Sequence, residues 1–294
     1  MMKIIFLGST IFSNKILIEI NKKFNVVGVC TIKKSDFYSD YFNLAKTAKS
    51  LCIPCYLSKN INSKATEKWI KKYDPDLIIC CGWSSILKKN ILNLPKYGCI
   101  GYHPSDLPMN KGRHPIIWSI FLGLKYCFST FFVMTNKIDN GTILSKEKTK
   151  IKKYDNATSI YKKLNSIASK QIIKILKNLN KNKNIIKKKY IAKSNYWRKR
   201  TEIDGLVDWR MSAHKINLLV RSLNYPYPNA HFNYKGKSVK IKKAKEISDI
   251  KFKNIEPGKI ISNTKGKIMV KCGEGLILLE KFKPKINIKE NTYL

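Results

Sequence analysis

Short apolar runs that close on small-residue turns and are followed by helical periodicity recur through the first third of the chain. That alternation restricts the fold more than any other feature. Lys3 to Leu7 ends at Gly8-Ser9-Thr10, and Ile16, Leu17 and Ile20 then share one helical face. Phe24 to Cys30 reads as a second buried strand, Tyr41 to Ser50 as a helix and Cys52 to Tyr56 as a third strand. Thr66 to Lys72 reads as a helix, and Leu77 to Cys81 as an apolar strand leading into Gly82-Trp83. Strands apolar on both faces that alternate with helices predict an α/β domain with a Rossmann-like, mainly parallel sheet. Ligands of such sheets collect beyond the carboxyl ends of the strands, so the loops near Gly8, Gly82 and Tyr102 are expected to share one crevice. The first turn lacks G-x-G-x-x-G, which argues against a dinucleotide cofactor there.

A helix is expected from a cap at Asp155 to about Leu179, and the Lys- and Asn-rich stretch Asn180 to Lys189 breaks the periodicity. Beyond it the texture changes. A helix over Ser212 to Leu223 precedes short strands near Ala230 to Tyr234, Ser238 to Lys242, Lys259 to Ile261, Lys267 to Lys271 and Leu276 to Leu279, with glycines between them. This pattern predicts a small OB-like β-barrel. The expected organisation is a catalytic domain over 1–190, a linker over 191–203 and the barrel over 204–294.

A chain of 294 residues can bury a core without disulfides or metal. Its 58 Lys and Arg against 19 Asp and Glu give a net charge of +39, which raises the thought of a polyanionic partner. The lysines are spread along the chain rather than gathered in a stripe, so an anionic small substrate fits the charge as well as nucleic acid does. Most of the eight cysteines lie in apolar, strand-like surroundings and favour a reducing compartment. Cys52 and Cys55 form a lone C-x-x-C, with no second pair to complete a zinc site. No run reaches the length of a membrane span, and no cleavable leader is legible, so the expected location is cytoplasmic without membrane insertion.

The most informative block runs from Gly98 to Ser145. His103 follows the strand-like Cys99-Ile100-Gly101-Tyr102, and Asp139-Asn140-Gly141 lies in a turn after a second strand, Ser129 to Met134. An imidazole and a carboxylate brought together at a strand end can manage protons near neutral pH. Alone, the pair also fits a histidine bonded to loop carbonyls and a turn aspartate.

The wider pattern adds context. His103-Pro104-Ser105-Asp106-Leu107-Pro108, then Lys111-Gly112-Arg113-His114-Pro115-Ile116, then Asp139-Asn140-Gly141 with Asp139 standing 36 positions after His103, resembles the folate-dependent formyltransferase family, both the methionyl-tRNA and the amino-sugar nucleotide types. Asp204-Gly205-Leu206-Val207-Asp208-Trp209 and Pro226-Tyr227-Pro228-Asn229-Ala230 look like the opening of that family's C-terminal domain. The resemblance implies a one-carbon transferase that moves a formyl group from 10-formyltetrahydrofolate to an amine, with no metal. It implies catalytic roles for His103 and Asp139, and folate binding by Gly82, Trp83, Asn136, Ile138 and Gly141. Substrate binding is expected from Gly8, Ser9, Tyr102, Pro104, Ser105 and Arg113. One departure stands out: the family's catalytic Asn, two residues before the His, falls on Gly101. A backbone N–H, His114 or a water would have to replace it, or the chain is a catalytically impaired folate- or nucleotide-binding homologue.

The acceptor expected from sequence is a nucleotide-linked amino sugar. Arg113 matches an R-G-R-x-P pattern of a sugar enzyme, and Thr31 to Phe42 is too short for the long loop typical of the tRNA enzymes. Initiator methionyl-tRNA is the alternative, supported by the net charge of +39 and the Lys181 to Lys189 run, which also reads as a solvated linker. Oligomeric state is not legible.

Overall fold

The structure, a computed structural model, describes residues 1–34, 39–181, 194–247 and 252–294. The Lys181 to Lys189 run, beyond Lys181, and part of the Thr31 to Phe42 loop lie outside the described residues. The chain divides into two compact units.

The first unit comprises 1–115, 127–150 and 161–197. Strands β1 (Lys3–Leu7), β2 (Asn25–Thr31), β3 (Cys55–Leu57), β4 (Leu77–Cys80) and β5 (Cys99–His103) alternate with helices α1 (Ile11–Asn21), α2 (Leu44–Ser50), α3 (Lys64–Lys72) and α4 (Lys89–Leu92). There follow β6 (Lys111–Gly112), β7 (Tyr126–Val133), β8 (Ile143–Lys150), α6 (Ala157–Asn180) and β9 (Tyr196–Trp197), while α5 (Pro115–Phe121), which falls between β6 and β7 in the chain, belongs from Ile116 onward to the second unit. The main sheet has the order β3-β2-β1-β4-β5-β7-β8. Pairing is parallel from β3 through β5, and β7 runs antiparallel to β5.

Alternation along β1 shows why the strand is apolar throughout. Ile4 and Phe6 enter one core with Leu77, Ile79 and Ile172. Ile5 and Leu7 enter the opposite core with Ile70, Ile78 and Cys99. Both faces of the sheet are covered, as the apolar runs predict. Thr10 caps α1 and forms a reciprocal capping box with Ser13.

Several boundaries differ from the sequence reading. Asn156, not Asp155, caps α6, accepting from Ser159 N–H at 3.0 Å, while Asp155 accepts from Lys152 N–H at 2.7 Å. Cys52 lies in a left-handed turn and Cys55 opens β3. Strand β8 has no apolar alternation, because it is an edge strand whose lysines and glutamate face outward. Part of the expected 191–203 linker is strand: Tyr196–Trp197 pairs in parallel with Lys111–Gly112. This satisfies loop amides and carbonyls that have no other ladder.

The second unit comprises 116–126, 151–160 and 198–294. Helix α7 (Ala213–Ser222) starts at Ser212, whose hydroxyl accepts from Lys215 N–H. Strands β10 (Ala230–Tyr234), β11 (Lys237–Ile247), β12 (Ile260–Thr264), β13 (Lys267–Lys271) and β14 (Leu276–Lys283) form one antiparallel sheet in the order β10-β11-β14-β13-β12. Ile216, Leu219, Phe232, Ile241, Val270 and Leu279 fill its core. Among the described residues, no helix is long and apolar enough to cross a membrane.

Candidate active site

His103 is the last residue of β5, paired with Thr130 of β7. Asp139 lies in the turn between β7 and β8, with φ of +44°. Its left-handed backbone is one that Asp tolerates better than most residues. Thr135 closes the turn by donating to the Asn140 carbonyl and accepting from Lys137 N–H at 3.2 Å. Gly141 is required on steric grounds, since a Cβ there would collide with the Val133 carbonyl.

The turn brings Asp139 Oδ1 to 3.6 Å from His103 Nδ1. This is longer than a hydrogen bond but well within electrostatic reach. Asp139 Oδ2 accepts from Gly112 N–H at 2.9 Å, which ties the carboxylate to the β6 loop. Gly112, at φ +101°, has no room for a side chain against the Trp197 carbonyl and the Tyr196 ring. The β6 loop is held in turn by Asn110 N–H donating to Asn195 Oδ1 at 2.7 Å and Arg113 N–H donating to the Trp197 carbonyl at 3.0 Å. Lys146 fixes the loop after His103 by bonding Asp106 at 2.7 Å and the Leu107 carbonyl at 3.0 Å.

Burial holds the His103 imidazole below its ordinary pKa of 6.5; the Asp139 charge and the Asn110 backbone oppose this, and Arg113 reinforces it. The ring is therefore neutral at pH 7. His103 Nε2 is buried and has no hydrogen-bond partner among the described residues. A buried polar atom without a partner is costly.

The other expected site residues divide in two. Arg113 reaches the Ser84 carbonyl from Nη2 at 3.4 Å, which links the β6 loop to the turn that carries Gly82 and Trp83. Trp83 is half-buried, and its indole N–H is buried without a partner among the described residues. Asn136 and Ile138 are exposed on the Asp139 turn, and Pro104 is half-buried. The remaining residues are engaged inside the unit. Ser9 donates to the Gly82 carbonyl at 3.2 Å and is 1% exposed, and Gly8 packs against Ser13 and the Cys81 carbonyl. Tyr102 stacks on Phe12 at 4.4 Å and meets Ser129 through its hydroxyl. Ser105 is buried, its hydroxyl directed at the Met109 carbonyl and its own carbonyl accepting from Thr130 at 2.6 Å. The Ser9, Tyr102 and Ser105 side chains thus differ from the substrate contacts expected of them: strand alternation and the capping turn direct them inward. Sequence reasoning missed Asn195, Tyr196 and Trp197, because they lay in a segment read as linker.

Residue 101 stands two positions before His103 and so on the same face of β5. A Cβ there would come within 2.8 Å of Met134 Cγ and 3.0 Å of Phe132 Cζ. The space that a side chain at position 101 would take is occupied by the Met134 thioether and the edge of the Phe132 ring.

Residues 2–176 match the family described as formyl transferase, and residues 199–292 match the formyl transferase C-terminal domain. The chain belongs to the formyltransferase family. It is 32% identical to a methionyl-tRNA formyltransferase of Rickettsia bellii, over 98% of this chain and 95% of that one. It is 37% identical to the bifunctional polymyxin resistance protein ArnA of Wigglesworthia glossinidia brevipalpis, over 71% of this chain and 32% of that one. An N-formyltransferase of Helicobacter canadensis, solved with folinic acid and dTDP-3-aminofucose, shares its fold with a TM-score of 0.71 at 17% identity, covering 95% of this chain and 99% of that one.

The electrostatics predict the pH profile of this centre. Because His103 is held below 6.5, the acid limb of kcat/KM should fall below pH 6.5. Asp139→Asn removes the charge that raises the imidazole pKa. The variant should therefore shift the limb further toward acid while lowering the plateau by about a hundredfold. A limb that moves toward alkali in the variant would contradict the assignment of that limb to His103.

Proposed function

We propose that the chain is a methionyl-tRNA formyltransferase, moving a formyl group from 10-formyltetrahydrofolate to the amine of initiator methionyl-tRNA. The observation that carries this reading is similarity along the whole chain to an enzyme of that name, joined to an intact His103–Asp139 pair. The net charge of +39 agrees with a polyanionic acceptor. The sequence alone favoured a nucleotide-linked amino sugar; the full-length relatives weigh the other way.

The unpartnered Nε2 of His103 and indole N–H of Trp83 fit a ligand with polar ring and carbonyl atoms. Gly82, Trp83, Asn136, Ile138 and Gly141 would hold the folate, which supplies an activated formyl carbonyl. In this reading the Asn110 backbone bond and the Asp139 charge keep the imidazole proton on Nδ1, leaving a lone pair on Nε2. As the amine nitrogen bonds to the formyl carbon and the carbonyl π electrons move to oxygen, Nε2 takes the amine's proton. The imidazolium, facing Asp139, then lies beside the oxyanion. When the bond from carbon to the folate nitrogen breaks, His103 returns the proton to that leaving nitrogen.

A second reading, transfer to a nucleotide-linked amino sugar, is favoured by Arg113, which fits the R-G-R-x-P pattern of a sugar enzyme and reaches the Ser84 carbonyl. Incubating the protein with 10-formyltetrahydrofolate, charged initiator tRNA and a panel of amino-sugar nucleotides separates the two, with products read by mass spectrometry. Formylmethionyl-tRNA should form with a KM that rises steeply with salt, as phosphate contacts require. Formylated sugar alone would select the second reading, and no product of either kind would mark an impaired homologue.

A further inference from the structure

Tyr196 belongs to none of the groups that the sequence pattern marks, yet the fold carries it to the edge of the catalytic pair. Parallel pairing of β6 with β9 sets Tyr196 opposite Lys111 and Trp197 opposite Gly112. Asn195 clamps this register from both sides of its peptide, its Oδ1 accepting from Asn110 N–H at 2.7 Å and its carbonyl from Lys111 N–H at 3.2 Å. The Tyr196 ring lies in the slot left by the absent side chain of Gly112, where Cε1 and Cδ1 would stand 2.8 and 2.9 Å from a Cβ. The N–H of that same glycine holds the Asp139 carboxylate. The ring is thus one residue from the carboxylate's anchor, and Tyr196 remains 55% exposed.

The two sides of the centre differ in chemistry. His103 presents a free Nε2, whereas Asp139 and the neighbouring Arg113 are the charged groups that Tyr196 feels. Burial and the Asp139 charge raise the phenol's pKa, so it stays neutral and able to donate. A half-exposed aromatic face anchored on rigid backbone next to the carboxylate can receive a planar ring without reorganising. Resting on the functional reading above, we infer that Tyr196 is a specificity-determining residue, its ring stacking on the terminal nucleoside of the aminoacyl acceptor.

The test is steady-state kinetics of Tyr196→Ala and Tyr196→Phe with charged initiator tRNA and 10-formyltetrahydrofolate, each varied separately. Tyr196→Ala should raise the tRNA KM about tenfold, the scale of one lost base–aromatic stack. Its kcat and folate KM should stay within about twofold, while Tyr196→Phe retains the wild-type tRNA KM. An unchanged tRNA KM in the alanine variant, or a rise confined to the folate KM, overturns the inference and leaves the functional reading standing. Should the alanine variant fail to fold, Tyr196→Leu, which keeps bulk without a π face, carries the same expectation. Wild-type protein that formylates sugar nucleotides and no tRNA overturns the functional reading, and the inference with it.

Discussion

His103→Ala is expected to lower kcat/KM for formyl transfer by about a thousandfold, the scale of a lost general acid–base group. Its melting temperature should stay close to that of the wild type. The two expectations come from one observation. Nε2 of His103 is buried without a partner among the described residues, so the side chain carries an unmet hydrogen-bonding need and truncating it removes that cost. Ile100 and Tyr102, which flank the core on the same strand, keep β5 in register. Kinetics and thermal denaturation of the alanine and asparagine variants check this. A variant that loses fold and activity together would assign His103 to packing.

Gly101→Asn is expected to act in the opposite direction, raising kcat by about a hundredfold. Positions 101 and 103 share one face of β5, so an amide introduced there projects to the same side as the imidazole and, in the proposed mechanism, adds a donor for the oxyanion. The obstacles are the Met134 side chain, 2.8 Å from the new Cβ at Cγ, and the buried Phe132 ring, 3.0 Å away at Cζ; the unbranched thioether can turn away, and the ring must give by a few tenths of an ångström. Combining the change with Met134→Ala tests whether that movement limits the gain. Rapid-quench measurement of the transfer step reads the effect directly. An unchanged rate in both variants would show that a donor elsewhere already serves the oxyanion.

Much of this architecture is written in local pattern. The apolar run of β1, its closing turn at Gly8-Ser9-Thr10 and the alternation of strands and helices up to β5 are legible because buried parallel strands have a distinctive composition. His103 and Asp139 are legible as a pair only through their motifs, since neither spacing nor composition shows that a turn after β7 folds back onto the end of β5. What stayed hidden depends on tertiary pairing. The two-residue strands β6 and β9 are too short to show a period, and Tyr196 and Asn195 looked like linker for that reason. Ser9 and Ser105 lie in loops at strand ends and Tyr102 inside β5, and the direction of a side chain there is set by register, which a single sequence leaves open.

In the proposed function, His103 and Asp139 direct the formyl carbon to an amine rather than to water. Single-turnover reaction with isotopically labelled 10-formyltetrahydrofolate and charged initiator tRNA, quenched and analysed by mass spectrometry, follows that carbon. Label is expected on the methionyl nitrogen, and is expected to be lost in His103→Ala. Label recovered as free formate, or transfer that survives the substitution, would contradict the proposed function.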